Sequence, residues 1–168
     1  TKKNFLKDAS IIIWTTTPWT IPANKALAFN SNIDYSLIEI DELDSFKEKK
    51  IVVATNLIDS ITKSCEIKNH KVIKTFKGSE FQGTICNHPF MKMNFDYDVP
   101  MLEAGFVDLD QGTGIVHCAP SHGPDDFNLC LKNNIPSSYT VDNSGLYTKE
   151  VPYFTGTHIF KADLIVIN

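Results

Sequence analysis

The chain has 168 residues, 42% of them hydrophobic and 21% charged, with a formal net charge of −4. This is ordinary globular composition, enough for one domain with a real core, and it excludes a disordered tail or a fibre. The acidic balance argues against gripping a nucleic-acid backbone over a long footprint, though not against contact with a single nucleotide end. No apolar run approaches the roughly 18 residues of a membrane span, and Thr1-Lys2-Lys3-Asn4-Phe5 lacks the apolar segment of a signal peptide. Cys65, Cys86, Cys118 and Cys130 form no CxxC pair, so a reducing cytoplasm is the expected setting. With no initiator Met and a strand close to the start, residues 1–168 read as a single domain cut from a longer protein.

In chain order, the apolar run Ile11-Ile12-Ile13-Trp14 predicts a buried strand over residues 10–16. Pro18 stops its ladder, because proline lacks a donor and pushes Thr17 toward extended backbone. Thr15, Thr16, Thr17, Thr20 and Asn24 thus gather where strand becomes loop, flanked by Trp14 and Trp19, as a pocket lip or a well-decorated turn. Further strands are predicted over residues 25–30, 35–40, 50–55, 71–76, 84–88 and 114–119, with turn signals such as Asn30-Ser31-Asn32 and Lys77-Gly78-Ser79 between them. Residues 41–50 mix both charge signs and read as a solvated turn or helix. Two helices are predicted. One covers residues 57–64 with Asn56 as its cap. The other covers residues 124–133, with Pro124 in its first turn and Asp125 and Asp126 at its positive end. Phe127, Cys130 and Leu131 are its expected core stripe. Residues 158–168 fit a strand or a helix equally. Many short strands with few helices indicate a mainly β domain of α+β type, closed or partly closed as a barrel, rather than a doubly wound sheet.

A second chemical cluster runs from Gly112-Thr113-Gly114 through Ile115-Val116-His117-Cys118-Ala119 to Pro120-Ser121-His122-Gly123-Pro124-Asp125-Asp126. Alternation puts Ile115, His117 and Ala119 on one strand face and Val116 and Cys118 on the other. A carboxylate at Asp126 could hold an ammonium group or orient a histidine, and the helix dipole favours its ionised form. Each feature also has a plain structural reading. His117 alone fits a satisfied core histidine, Asp125 and Asp126 fit helix-end carboxylates, and the glycines fit a hairpin turn. Two hydrolase alternatives draw on the same stretch. A metal site from Cys86, His88, His117, Cys118 and His122 matches no zinc spacing, since its members alternate across strand faces. A cysteine nucleophile at Cys118 with His122 competes with Cys118 as a small core residue.

Taken together, the two clusters resemble the editing domain inserted into isoleucyl-tRNA synthetase, a class I synthetase of the isoleucine, valine and leucine group. Thr-Thr-Thr-Pro-Trp-Thr-Ile-Pro-Ala-Asn, residues 15–24, matches the family's threonine-rich motif, and residues 112–126 match its second motif. Valyl and leucyl counterparts usually carry Thr-Thr-Arg-Pro followed by Glu or Asp, where this chain has Thr17, Pro18 and Trp19. At position 117 they carry lysine or an apolar residue. Ser121 departs from a common glycine and Cys118 from a frequent threonine.

The resemblance implies a six-stranded closed, barrel-like core that binds the 3′-terminal adenosine of tRNA(Ile) bearing valine and hydrolyses the ester. It implies that Asp126 holds the α-ammonium, that Thr15, Thr16, Thr17, Thr20 and Asn24 line the ester and ribose, and that His117 excludes isoleucine. Trp14 is implied to flank the adenosine end. Catalysis would rest on Asp126, Thr17 and His117, with water as nucleophile, no metal and no cofactor. ATP and Mg would belong to the full-length synthetase, whose signatures His-Ile-Gly-His and Lys-Met-Ser-Lys-Ser are absent here. The remaining partner would be the rest of the synthetase in cis, the domain itself being monomeric, cytoplasmic and without a membrane. A module that only binds tRNA would not distinguish the attached amino acid.

Overall fold

A computed structural model describes residues 4–41 and 49–167. Eight strands and three helices are named below. They are β1 (Ser10–Ile11), β2 (Ala26–Phe29), β3 (Asp34–Ile40), β4 (Lys50–Ala54), α1 (Ile58–Ser64), β5 (His70–Lys77), β6 (Ile85–Asn87), β7 (Asp98–Glu103), β8 (Val116–Cys118), α2 (Pro124–Lys132) and α3 (Ile159–Ile167). The strands form two four-stranded sheets, ordered β1-β4-β3-β5 and β6-β7-β2-β8. The mixed α+β class is as expected, but the closed six-stranded barrel is not: neither sheet closes on itself. Length in the ladder is the physical reason, since β1, β6 and β8 are two or three residues long and cannot carry a continuous register around a barrel.

The chain divides into two compact units. The first comprises Thr1–Trp14, Ala28–Thr84 and Met101–Val116; the second comprises Thr15–Leu27, Ile85–Pro100 and His117–Asn168. In the first unit β3 is antiparallel to β4, with Tyr35 opposite Ala54 and Glu39 opposite Lys50, and β1 runs parallel to β4. Strands β3 and β4 are buried along almost their whole length. On one face Ile38, Ile40, Ile51 and Val53 pack with Ile58 and Ile61 of α1. An aromatic group of Phe29, Tyr35, Phe76 and Phe81 supplies the rest of the core, with Tyr35 and Phe81 edge to face at 4.8 Å. Gly114 is required as glycine, because its φ is +73° and an added Cβ would meet the Ala54 Cβ at 2.5 Å.

The second unit is built around Phe95, Tyr147, Val151, Phe154 and Ala162, with Trp19, Phe90, Tyr97 and Ile159 packed against them. Residues 158–168, left open between strand and helix, supply α3, which packs Ala162 and Ile159 onto this cluster.

Several expectations need correction. The strand over residues 10–16 is regular only at Ser10–Ile11. Asn56 does not cap α1; it lies inside a 3-10 turn, Thr55–Leu57, and the cap position falls to Leu57. On α2 only Cys130 of the proposed stripe is buried, together with Leu129, whereas Phe127 and Leu131 are exposed. Strand β7 was not anticipated, because Asp98 and Pro100 are poor strand formers. Of the mixed-charge stretch at residues 41–50, residues 42–48 lie outside the described residues.

Candidate functional site

Every candidate side chain except Trp14 belongs to the second unit, and Trp14 is half exposed in the first. The strand ladder ends at Ile11, well before Pro18, and Thr17 is not held extended as expected: Pro18–Ala23 forms a 3-10 turn with Thr17 at its entry, φ −131° and ψ 68°. The three threonines are organised locally. Thr15 Oγ1 accepts from the Thr17 N–H at 3.0 Å, and the Thr16 and Thr17 hydroxyls lie 3.4 Å apart. Thr16 is exposed, while Thr20 and Asn24 are buried.

Thr20 joins the two sequence clusters. Its hydroxyl donates to the Thr17 carbonyl at 2.9 Å and stands 3.1 Å from His117 Nε2. A hydroxyl has one proton, so Thr20 Oγ1 accepts from His117, and the imidazole proton sits on Nε2. Nδ1 is then a bare lone pair, buried and without a partner. Burial, and after it the nearby His122, pushes the His117 pKa down to about 4, which keeps the ring neutral at pH 7. Asn24 Oδ1 is a second buried acceptor without a partner.

Asp126 sits in the first turn of α2, as predicted, and its Oδ2 accepts from the Ala119 N–H at 2.9 Å. The helix dipole alone had argued for an easily ionised carboxylate. Burial instead raises the pKa; the Ala119 N–H opposes this and Asp125 adds to it. Gly123 lies close by, and a Cβ there would come 3.2 Å from Oδ2. The Ser121 hydroxyl donates to the Ser138 carbonyl at 2.6 Å, which ties down the loop before Asp126.

The histidines proposed for a metal are engaged elsewhere. His88 and His117 bond within the turn region, and His122 Nε2 meets Thr140 Oγ1 at 2.9 Å. Among the described residues no three His, Cys, Asp or Glu side chains are grouped to hold a metal ion. Cys118 is fully buried, as a core residue would be. The Gly112-Thr113-Gly114 backbone is used within the first unit, where the Thr113 carbonyl accepts from the Ala54 N–H at 2.9 Å.

Several residues around the turn carried no signal in the sequence. The Trp19 N–H donates to Asp163 Oδ1 at 2.8 Å, the Tyr147 hydroxyl donates to the Trp19 carbonyl, and the Tyr97 hydroxyl donates to the Asn24 carbonyl at 2.8 Å. Trp19 also stands edge-on to His122, with ring centroids 4.8 Å apart. Asp163, Tyr147 and Tyr97 lie in no local motif, so only the fold reveals them.

The family model for the leucyl-tRNA synthetase editing domain matches residues 7–163. The chain belongs to this family. Within it, the editing domain is 64% identical over 162 residues to an isoleucine–tRNA ligase of Pelagibacter ubique (strain HTCC1062), covering 96% of this chain and 18% of that protein. An isoleucine–tRNA ligase of Gluconobacter oxydans (strain 621H) is 42% identical over 166 residues, covering 96% of this chain and 17% of that protein. The domain therefore spans less than a fifth of these relatives. Among solved structures, the editing domain of the P. knowlesi cytosolic leucyl-tRNA synthetase has the same fold, with a TM-score of 0.68 and 12% identity, over 98% of this chain and 82% of that one. No helix among the described residues is long and apolar enough to cross a membrane.

Proposed function

We propose that this editing domain hydrolyses the ester of valine wrongly attached to tRNA(Ile), acting as one domain of a longer cytoplasmic isoleucine–tRNA ligase. The observation that carries the reading is the Thr20–His117 hydrogen bond, which unites the threonine-rich turn with the second motif. In this reading the neutral His117 ring that it holds is the size filter. A hydrophobic synthetic pocket gains only about 1 to 3 kcal/mol from one methylene, a limit for which isoleucyl-tRNA synthetase is itself the standard example, so a second site that admits valine and rejects isoleucine by size is required.

The roles are those that the resemblance implies, and the chemistry of each side chain suits them. Asp126 keeps Oδ2 on the Ala119 N–H and offers Oδ1 to the substrate α-ammonium, whose positive charge also favours the carboxylate form against burial. Thr15, Thr16, Thr17 and Asn24 position the ester and the terminal ribose. An aminoacyl ester is intrinsically reactive and has a ribose hydroxyl beside it, so fixing its carbonyl next to a water supplies the needed acceleration without a covalent intermediate, metal or cofactor. The test is Asp126→Ala in the full-length ligase. Deacylation of valyl-tRNA(Ile) is expected to disappear and mischarged tRNA to accumulate; a wild-type rate in the folded variant would overturn the assignment.

A further inference from the structure

The turn Pro18–Ala23 is held from outside by side chains on its backbone. Tyr147 takes the Trp19 carbonyl, Asp163 the Trp19 N–H and Tyr97 the Asn24 carbonyl. His88 takes the Ile21 carbonyl through Nε2 at 3.2 Å. His88 is 2% exposed, as Tyr147 is, and both of its ring nitrogens are committed. The Phe90 N–H donates to its Nδ1 at 3.1 Å, so Nδ1 carries no proton and Nε2 must donate. The ring stacks on Phe95, with centroids 4.8 Å apart and planes 12° apart, and lies 5.3 Å from Tyr97. Burial, against a raising effect of the Ile21 bond and with smaller lowering effects of Lys25 and His117, brings its pKa down to about 4. At neutral pH the ring is therefore a fixed, uncharged bridge.

We propose that His88 is a positioning residue of the editing site: its Nε2–H fixes the Ile21 carbonyl, and with it the adjacent Thr20 hydroxyl against His117. Thr20 lies between two residues whose carbonyls are both pinned, Trp19 by Tyr147 and Ile21 by His88. Ile21 O also accepts the Asn24 N–H at 3.0 Å, so the same atom anchors the end of the turn that carries Asn24. Loss of the His88 donor frees this carbonyl and lets Thr20 drift from the imidazole it orients. The inference rests on the reading of Thr20 and His117 as part of an editing site.

Three substitutions separate the ring's functions. His88→Gln keeps a donor near the Nε2 position, His88→Asn keeps only polarity near Nδ1, and His88→Phe keeps the stacking and loses both hydrogen bonds. Each is measured in the full-length ligase by the rates of deacylation of valyl- and isoleucyl-tRNA(Ile), alongside thermal unfolding. The expected result is a fall of about tenfold in the valyl-to-isoleucyl rate ratio for His88→Phe and His88→Asn, the size of one net hydrogen bond, with His88→Gln close to wild type. An unchanged ratio in a folded His88→Phe or His88→Asn, even with a lower melting temperature, overturns the positioning role and leaves His88 as a packing residue. Should His88→Phe not fold, His88→Asn against His88→Gln decides. Asp126→Ala runs in parallel: wild-type deacylation by that variant refutes the editing site itself, whereas its inactivity beside unchanged His88 ratios refutes this inference alone.

Discussion

Replacing Thr20 by valine removes one hydroxyl with almost no change in shape, so its consequences can be worked out atom by atom. Thr20 is 7% exposed, and its Oγ1 is the acceptor for the His117 Nε2–H at 3.1 Å. His117 Nδ1 is already buried without a partner, so the variant leaves both ring nitrogens unsatisfied. The Thr17 carbonyl loses less, since the Thr20 N–H still donates to it at 3.0 Å. A stranded buried donor costs about 1–3 kcal/mol, so Thr20→Val should lower the unfolding free energy by that amount. Thr20→Ser keeps the hydroxyl and sacrifices a methyl, a loss of about 1 kcal/mol. Urea denaturation at neutral pH measures the stability, and imidazole nitrogen NMR reads the tautomer, expected as Nε2–H in the parent. With the ring unfixed, hydrolysis of isoleucyl-tRNA should rise relative to valyl-tRNA in Thr20→Val and not in Thr20→Ser. Stability within about 0.5 kcal/mol of the parent, together with an unchanged ratio, would show that the bond neither holds the ring nor contributes to selection.

Two further outcomes follow from the same geometry. His88 and His117 lose their protons near pH 4 when folded and near pH 6.5 when unfolded, so the stability they contribute is present above the unfolded value and is lost as pH falls through the window between the two. At about pH 5 each should have cost on the order of 2 kcal/mol relative to neutral pH, with Asp126, whose pKa is raised, offsetting part of it. Urea midpoints that stay flat from about pH 7.5 to about pH 5 would contradict the burial of both rings. Gly114→Ala forces a left-handed backbone on a residue with a Cβ and drives that Cβ against Ala54; a loss of about 2–4 kcal/mol is expected in denaturant unfolding, and a neutral substitution would mean that the turn is built differently.

Much of the fold was legible in short-range pattern. Strands β2 to β5 and helix α2 fall where apolar runs, turn residues and Pro124 place them, because hydrophobic patterning and proline punctuation act over a few neighbours. Where sequence and structure part, a longer-range effect decides. The spacing of Phe127, Cys130 and Leu131 suggests a stripe on α2, yet tertiary packing buries only Cys130 of the three, with Leu129 beside it. Strand β7 forms despite Asp98 and Pro100, because residues 98–100 pair with β6 while Val99 and Met101 are buried.

The site divides in the same way. Which residues are candidates, namely the threonine run, Asn24, His117 and Asp126, was set by two local motifs, and their chemistry could be read from side-chain type alone. What each atom does was not. The Thr20–His117 bond joins residues 97 positions apart, the His88–Ile21 bond 67, and the Asp163–Trp19 bond 144. A sequence specifies donors and acceptors, but only the folded chain decides which donor is spent on which acceptor. That accounting is what leaves His117 with its proton on Nε2 and makes a buried His88, first weighed as a metal ligand, into a support for the turn.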